Sequence, residues 1–331
     1  MSDDVNMEPK QTTPLDHLNA ELTYRRKQGD GKGEAKALCG IAEHYWNNGD
    51  ATQSLKFYRQ ALKLSKKTGD RQSEADTISD IGMVYHFGED WQKAMRYYKQ
   101  ALTIYEDTED QQGMAIVLGN MGLLSRIRGD HKNALKYFEQ SLYINKETAD
   151  KDGVATGLGN IGMVYQDMNK ADMALGYHEQ ALEIDKEIPS KLGEAGDLGN
   201  IGLAYHSKGD LDKALEYHQQ ALDINRSIME KLGEASDLGN MGLVYQAKGD
   251  LDKALELYTQ AFDIDEKIDD RLGQATQLGN MGGAYLSRGE LDKAHDCYLD
   301  AFDVYKHLGA KSKIKLIEKQ IETVKAKMRE S

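Results

Sequence analysis

Asparagine stands at Asn120, Asn160, Asn200, Asn240 and Asn280, five copies at a constant interval of 40 residues. A carboxamide carries donors and an acceptor together, matching what a backbone peptide unit presents. An even row of them is chemistry for holding an extended chain. The competing reading is that these amides bond to neighbouring helices and shape the fold, and repetition alone does not separate the two. Each asparagine follows a glycine (Gly119, Gly159, Gly199, Gly239, Gly279), a residue that lets another backbone come close.

Bond-breaking chemistry is absent from the pattern. The nine histidines include no His-x-x-x-His pair, and no Cys-x-x-Cys occurs. His178 and His218 occupy a site held elsewhere by Tyr58, Tyr98, Phe138, Tyr258 or Tyr298, which assigns them an aromatic's packing role rather than a metal. Gly157, Gly159 and Gly162 spell Gly-x-Gly-x-x-Gly inside a helical stretch with no strand before it, so the dinucleotide fingerprint lacks its context. No Walker pattern and no nucleophile with a base is present. The expectation is a non-enzyme with no catalytic residues, no metal and no cofactor.

The elements that place the asparagines follow from the period. Leu-Gly-Asn returns at 118, 158, 198, 238 and 278 without insertion or deletion, the signature of one supersecondary unit stacked into a solenoid. In the copy from Ala195 to Glu234, Ala195, Leu198, Ile201, Gly202 and Tyr205 recur at helical spacing. Gly209 stops that helix, and Asp210 caps a second one whose buried face is Leu211, Ala214, Leu215, Ala221, Leu222 and Ile224. Small residues mark close approaches. Gly82, Gly122, Gly162, Gly202, Gly242 and Gly282 share one position, and Ala94, Ala134, Ala174, Ala214, Ala254 and Ala294 another. Glycine inside a helix costs about 1 kcal/mol against alanine, so six such glycines imply a packing reason. Departures mark weak points: Asn169 and Lys170 replace the stop glycine and capping aspartate, and Glu89 takes a stop position with Gly88 one place early.

The small-Gly-aromatic first helix and the two small residues of the second resemble the tetratricopeptide repeat. The 40-residue length with Leu-Gly-Asn is similar to the Pins-like adaptors and, more loosely, to kinesin light chains. The resemblance implies an all-α fold, a right-handed α-α superhelix of seven full repeats over 35–314. An N-terminal half-repeat helix at 12–34 precedes it, a C-terminal capping helix at 315–331 follows it, and residues 1–11 are expected to be disordered. Thr13 and Pro14 start the half-repeat helix, and Ile314, Ile317, Ile321, Val324 and Met328 stripe the last one.

In such a stack the first helices line a concave groove, and the corresponding asparagines of Pins-like and kinesin-light-chain repeats contact bound peptides. The resemblance thereby places Asn120, Asn160, Asn200, Asn240 and Asn280 along the groove. Beside them it sets Met83, Leu123, Met163, Leu203 and Leu243, then Arg126, Gln166 and His206, with Trp46 and Phe87 at the N-terminal end. Trp46, Met83, Phe87, Leu123 and Ile127 would make an apolar anchor there or be partly buried between repeats. Arg126 is the single clear cation in this lining, whereas Glu43, Asp76, Asp80 and Asp167 favour a ligand carrying some Lys or Arg.

Charge fits that partner class. The formal net charge is −13, which disfavours nucleic acid and anionic membrane surfaces. The acidic start lacks a secretory apolar run, and no stretch approaches the roughly 20 apolar residues of a membrane helix. The expectation is a cytoplasmic adaptor or scaffold for an extended peptide segment of a partner protein. The alternatives are a self-assembling structural solenoid and a receptor for a short signalling peptide. Residues 306–331 carry 8 basic and 3 acidic groups, so the last helix is either a shield for the array or a basic contact surface.

Overall fold

The computed structural model describes residues 13–330, so the disorder expected for 1–11 lies outside the described residues. A helix begins every 20 residues, because each 40-residue period carries two caps. They are α1 (Pro14–Gln28), α2 (Gly31–Asn47), α3 (Ala51–Thr68), α4 (Arg71–Phe87), α5 (Trp91–Asp107), α6 (Gln111–Ile127), α7 (His131–Glu147) and α8 (Lys151–Asp167). There follow α9 (Ala171–Glu187), α10 (Lys191–Lys208), α11 (Leu211–Ser227), α12 (Lys231–Lys248), α13 (Leu251–Lys267), α14 (Arg271–Arg288), α15 (Leu291–Leu308) and α16 (Lys311–Glu330). No strand occurs among the described residues. The array's first helix starts at Gly31 and the final helix at Lys311, four residues ahead of the boundaries expected from the sequence.

Aspartate supplies most starts: the side chains of Asp30, Asp50, Asp70, Asp90, Asp110, Asp130, Asp210, Asp250 and Asp270 accept from backbone N–H groups two or three residues on. Lys170 makes no such bond, as expected. All stops but one are left-handed residues, glycine at Gly49, Gly129, Gly209 and Gly249 among others, whereas α9 ends at Ile188 in extended backbone. At Glu89 the backbone takes φ 57° itself while the early Gly88 stays at −78°. Left-handed backbone costs an L-residue roughly 1–2 kcal/mol. Glu89→Gly should therefore stabilise the fold by about 1 kcal/mol in urea unfolding, and Lys170→Asp by a similar amount through the restored cap.

The helices form two compact units, Met1–Asp150 and Lys151–Ser331, each a stack of antiparallel hairpins. Within the second unit, the first helices of successive hairpins touch one another, α8 with α10, α10 with α12 and α12 with α14. The second helices make no comparable contacts, which curves the stack with the first helices on its inner side. The first unit repeats this with α2, α4 and α6. At the far end of the second unit, Ile317, Ile321 and Val324 of α16 are buried against Tyr298, Ala301 and Tyr305 of α15, so the apolar stripe of the last helix faces the array.

The six in-register glycines have their packing reason. An added Cβ would lie 2.8 Å from Tyr98 at Gly82, 2.5 Å from Phe138 at Gly122, 2.6 Å from His178 at Gly162, 2.8 Å from His218 at Gly202, 2.5 Å from Tyr258 at Gly242 and 2.7 Å from Tyr298 at Gly282. Each ring fills the space over the glycine of its own hairpin. The two histidines do the same as the tyrosines and are fully buried.

Candidate peptide-binding groove

On the inner helices, burial alternates with the turn. Ile201, Gly202 and Ala204 of α10 are buried, whereas Asn200, Leu203 and His206 are partly exposed and Ser207 fully so. The same division places Asn160, Met163 and Gln166 on α8, Asn240 and Leu243 on α12, and Asn280 on α14 at the half-exposed inner surface of the second unit. In the first unit it places Met83 and Phe87 on α4, Asn120, Leu123 and Arg126 on α6, and Trp46 on α2.

Four of the five carboxamides reach into this surface without internal partners. Among the described residues, the side chains of Asn120, Asn160, Asn200 and Asn240 make no hydrogen bond within the protein; Asn280 donates from Nδ2 to Oε1 of Gln277 at 3.3 Å. The preceding glycines differ from expectation. At four of the five the open side is taken by the next repeat's first helix, not left for a ligand backbone; Gly119 instead has only Ser141 of α7 near it, at 4.0 Å. A Cβ on Gly159 would sit 3.5 Å from Oδ1 of Asp197, one on Gly199 3.4 Å from Oδ1 of Asp237, and one on Gly239 3.0 Å from Oε1 of Gln277. On Gly279 it would meet Ile317 of α16 at 3.7 Å.

Apolar residues gather in the first unit. The rings of Trp46 and Phe87 lie 5.5 Å apart, Phe87 is 67% exposed, and Ile127 is likewise exposed. His86 stacks on Phe87 and its Nδ1 lies 3.3 Å from the Tyr98 hydroxyl. The neighbouring acids are weaker anions than their number suggests. Burial, reinforced by Glu43 and Asp76, pushes the Asp80 carboxyl up to about 7. Asp76 is also raised by burial although it accepts from the Tyr105 hydroxyl at 2.7 Å. The pull on a basic ligand is correspondingly reduced below pH 7.

In the second unit, Leu243, Gln246, Asn280 and Gly283 wall a hollow of about 270 Å³ whose far side is α16, through Lys313, Leu316 and Gln320. Sequence reasoning assigned the last helix only to shielding or to a separate contact, so Lys313 is a cation it missed. The signal was available in the basic run of that helix but carried no direction. Gln246 is also fixed from behind, its Oε1 accepting from the Tyr258 hydroxyl at 2.9 Å. No group of residues suited to a metal ion exists among the described residues.

Paired helices, glycines under aromatic rings and first helices on the inside correspond to one sequence family. The tetratricopeptide repeat family matches residues 33–107, 113–187, 155–227, 195–267 and 234–307. This chain is a tetratricopeptide-repeat protein. Its tetratricopeptide array is similar to aspartyl phosphate phosphatase F from Bacillus subtilis, at 17% identity over 86% of this chain and 73% of that one, with a TM-score of 0.70. It is also similar to a signal-transduction ATPase with a tetratricopeptide repeat sensor from Pyrococcus horikoshii, at 17% identity and a TM-score of 0.65, spanning 92% of this chain and 47% of that one. BtubC from P. vanneervenii is 24% identical over 67% of this chain and 90% of its own, with a TM-score of 0.55. No curated protein matches the chain. At these identities the likeness shows the fold alone, and the tetratricopeptide assignment rests on the repeats themselves.

Proposed function

We propose that this tetratricopeptide array is a cytoplasmic, non-catalytic adaptor whose inner surface holds an extended segment of a partner protein. The 40-residue repeats would then serve as in the Pins-like type. The observation that carries the reading is the set of half-exposed carboxamides with unused hydrogen-bonding capacity at one position of successive inner helices. A polar group kept half-buried and unpaired gains most from a ligand that pairs it. The fold is compatible with such a role: a similar chain, a Rap protein, was solved in complex with competence and sporulation factor. Trp46, Phe87 and Ile127 supply an apolar anchor. The acids of the first unit favour a ligand with some Lys or Arg, most strongly above pH 7, where Asp80 is ionised. No helix among the described residues is long and apolar enough to cross a membrane.

Titration with a library of labelled extended peptides tests the reading. Asn160→Ala/Asn200→Ala should weaken the tightest binders roughly 10- to 100-fold, since each lost hydrogen bond contributes about 0.5–1.5 kcal/mol. Because neither amide bonds to the scaffold, the melting temperature should not move. Equal affinity of the double variant would remove the asparagines from the site.

A further inference from the structure

The last hairpin departs from its neighbours at two register positions that meet at one point. Where Leu203 and Leu243 stand in earlier copies it has Gly283, and where His206 and Gln246 stand it has Leu286. The first change opens space. A Cβ on Gly283 would meet nothing nearer than Nε2 of Gln246 at 3.6 Å and the Tyr298 hydroxyl at 3.7 Å, and the hollow of about 270 Å³ lies there. The second change removes a partner. In other copies that position engages the buried tyrosine: Nδ1 of His86 lies 3.3 Å from the Tyr98 hydroxyl, and Oε1 of Gln246 accepts from Tyr258 at 2.9 Å. Leu286 offers no polar atom. Tyr298 is 3% exposed, yet its hydroxyl has no hydrogen-bond partner among the described residues and lines the hollow. A buried hydroxyl left unpaired is unfavourable for the chain alone and favourable for a ligand that pairs it.

The groups around that hydroxyl share one electrostatic sense. Gln246 gives its Oε1 to Tyr258, so it turns its N–H donors toward Gly283. Lys313 is the one charged residue lining the hollow, and it makes no ion pair among the described residues. Donors and a cation, with no acid among them, are complementary to an anion. The space is also limited. Whole small-molecule sites run to roughly 300–1,000 Å³, so this one takes a single side-chain-sized group. Gln320, on the wall beside Asn280, stands at the register position of Asn240 and Asn280 and carries the carboxamide row onto α16.

We propose that this hollow is a pocket for an acidic side chain, Glu or Asp, of the segment held by the array. The carboxylate accepts from the Tyr298 hydroxyl and from Nε2 of Gln246, and Lys313 supplies the countercharge. The carboxamides of Asn280 and Gln320 hold the backbone at the mouth, so a side chain enters rather than a chain end. The source of that side chain rests on the adaptor reading; the pocket's preference for a carboxylate does not.

NMR titration of the full chain at constant ionic strength tests it with three small probes, each up to about 50 mM to bracket the weak affinity of so small a fragment. They are N-acetylglutamate α-amide, its neutral counterpart N-acetylglutamine amide, and N-acetylglycine, which carries a chain-end carboxylate. The glutamate probe should shift the side-chain amide signals of Gln246 and Gln320, and both other probes should bind at least about 10-fold more weakly. Tyr298→Phe should weaken the glutamate probe roughly 10-fold without lowering the melting temperature, because the hydroxyl holds nothing in the free protein. Lys313→Gln should weaken it about 2- to 5-fold, as expected for an exposed charge. Gly283→Leu, which installs the residue of two earlier copies, should abolish binding with an unchanged circular dichroism spectrum. No binding of the glutamate probe, equal binding of the glutamine probe, a preference for N-acetylglycine, or full affinity in folded Gly283→Leu would overturn the proposal. None of the probes is an extended chain, so failure here leaves the Asn160→Ala/Asn200→Ala peptide result standing, and failure there leaves this pocket standing.

Discussion

Replacing one buried carboxylate in the second unit should make the protein more stable. Asp185 of α9 and Asp197 of α10 are both buried and share a hydrogen bond, which requires a proton between them. Burial, together with the neighbouring Asp185 carboxylate, pushes Asp197 up to about 8, and burial raises Asp185 as well. One repeat later the same two positions hold Asn225 and Asp237, where Nδ2 of Asn225 donates to Oδ2 of Asp237 at 2.8 Å. Asp185→Asn converts the first arrangement into the second, exchanging a strained acid pair for a neutral donor facing a carboxylate. The gain at pH 8 should be on the order of 2–4 kcal/mol, at about 1.4 kcal/mol for each pKa unit.

The pH dependence carries the sign of the effect. The folded chain keeps the Asp197 proton up to about pH 8, whereas the unfolded chain releases it near 3.8. Between those values the folded state binds more protons, so stability falls as pH rises and the loss is complete only above 8. Urea midpoints measured from pH 4 to 9 should decline for the natural chain, and decline less for Asp185→Asn. A flat natural profile, or a variant that loses stability at pH 8, would contradict the shared proton.

Two kinds of helical glycine should respond to alanine in opposite directions. At Gly122 the new methyl would arrive 2.5 Å from the Phe138 ring, inside a core with no slack. Overpacking costs typically 1–3 kcal/mol, and the ring sits between two elements that hold it in place. Gly122→Ala should therefore lower stability by about 1–2 kcal/mol even after the helix-propensity gain. At Gly176 in α9 and Gly196 in α10 nothing lies within 4 Å of the added atom. There alanine should raise stability by about 0.5–1 kcal/mol each. Thermal unfolding of the three single variants gives the comparison, and an equal response at all three would remove the ring contact as the reason for the in-register glycines.

Much of the fold was legible because the repeat states each local rule several times. The stop at Gly209, the cap at Asp210, the missing cap at Lys170 and the start at Thr13 all concern residues a few positions apart, and each appears in the helices as expected. The aromatic role of His178 and His218 was legible for the same reason, through the tyrosines that replace them elsewhere. Contacts between repeats were not. Gly159 and Asp197 are 38 residues apart, and nothing in the order of residues says that one accommodates the other. Nothing in the sequence sets Asp185 and Asp197 apart from the other helix acids, because an amphipathic pattern does not tell which acidic residue is buried beside the following helix. The candidate groove shows the same limit: its inner-helix residues were found by register, but Lys313 enters from a helix with a different pattern.

The side chains seated over Gly159, Gly199 and Gly239 make the copies less interchangeable than their near-identity implies. Excising residues 195–234 would bring Asp237 onto the notch at Gly159, a like-for-like exchange for Asp197. Excising 235–274 would instead seat a glutamine over Gly199, and cutting out 155–194 would deliver Asp197 to a helix whose counterpart notch, Gly119, has Ser141 as its nearest neighbour at 4.0 Å. Loss or gain of a repeat is therefore accommodated most readily at junctions whose neighbouring side chain already sits over a glycine notch.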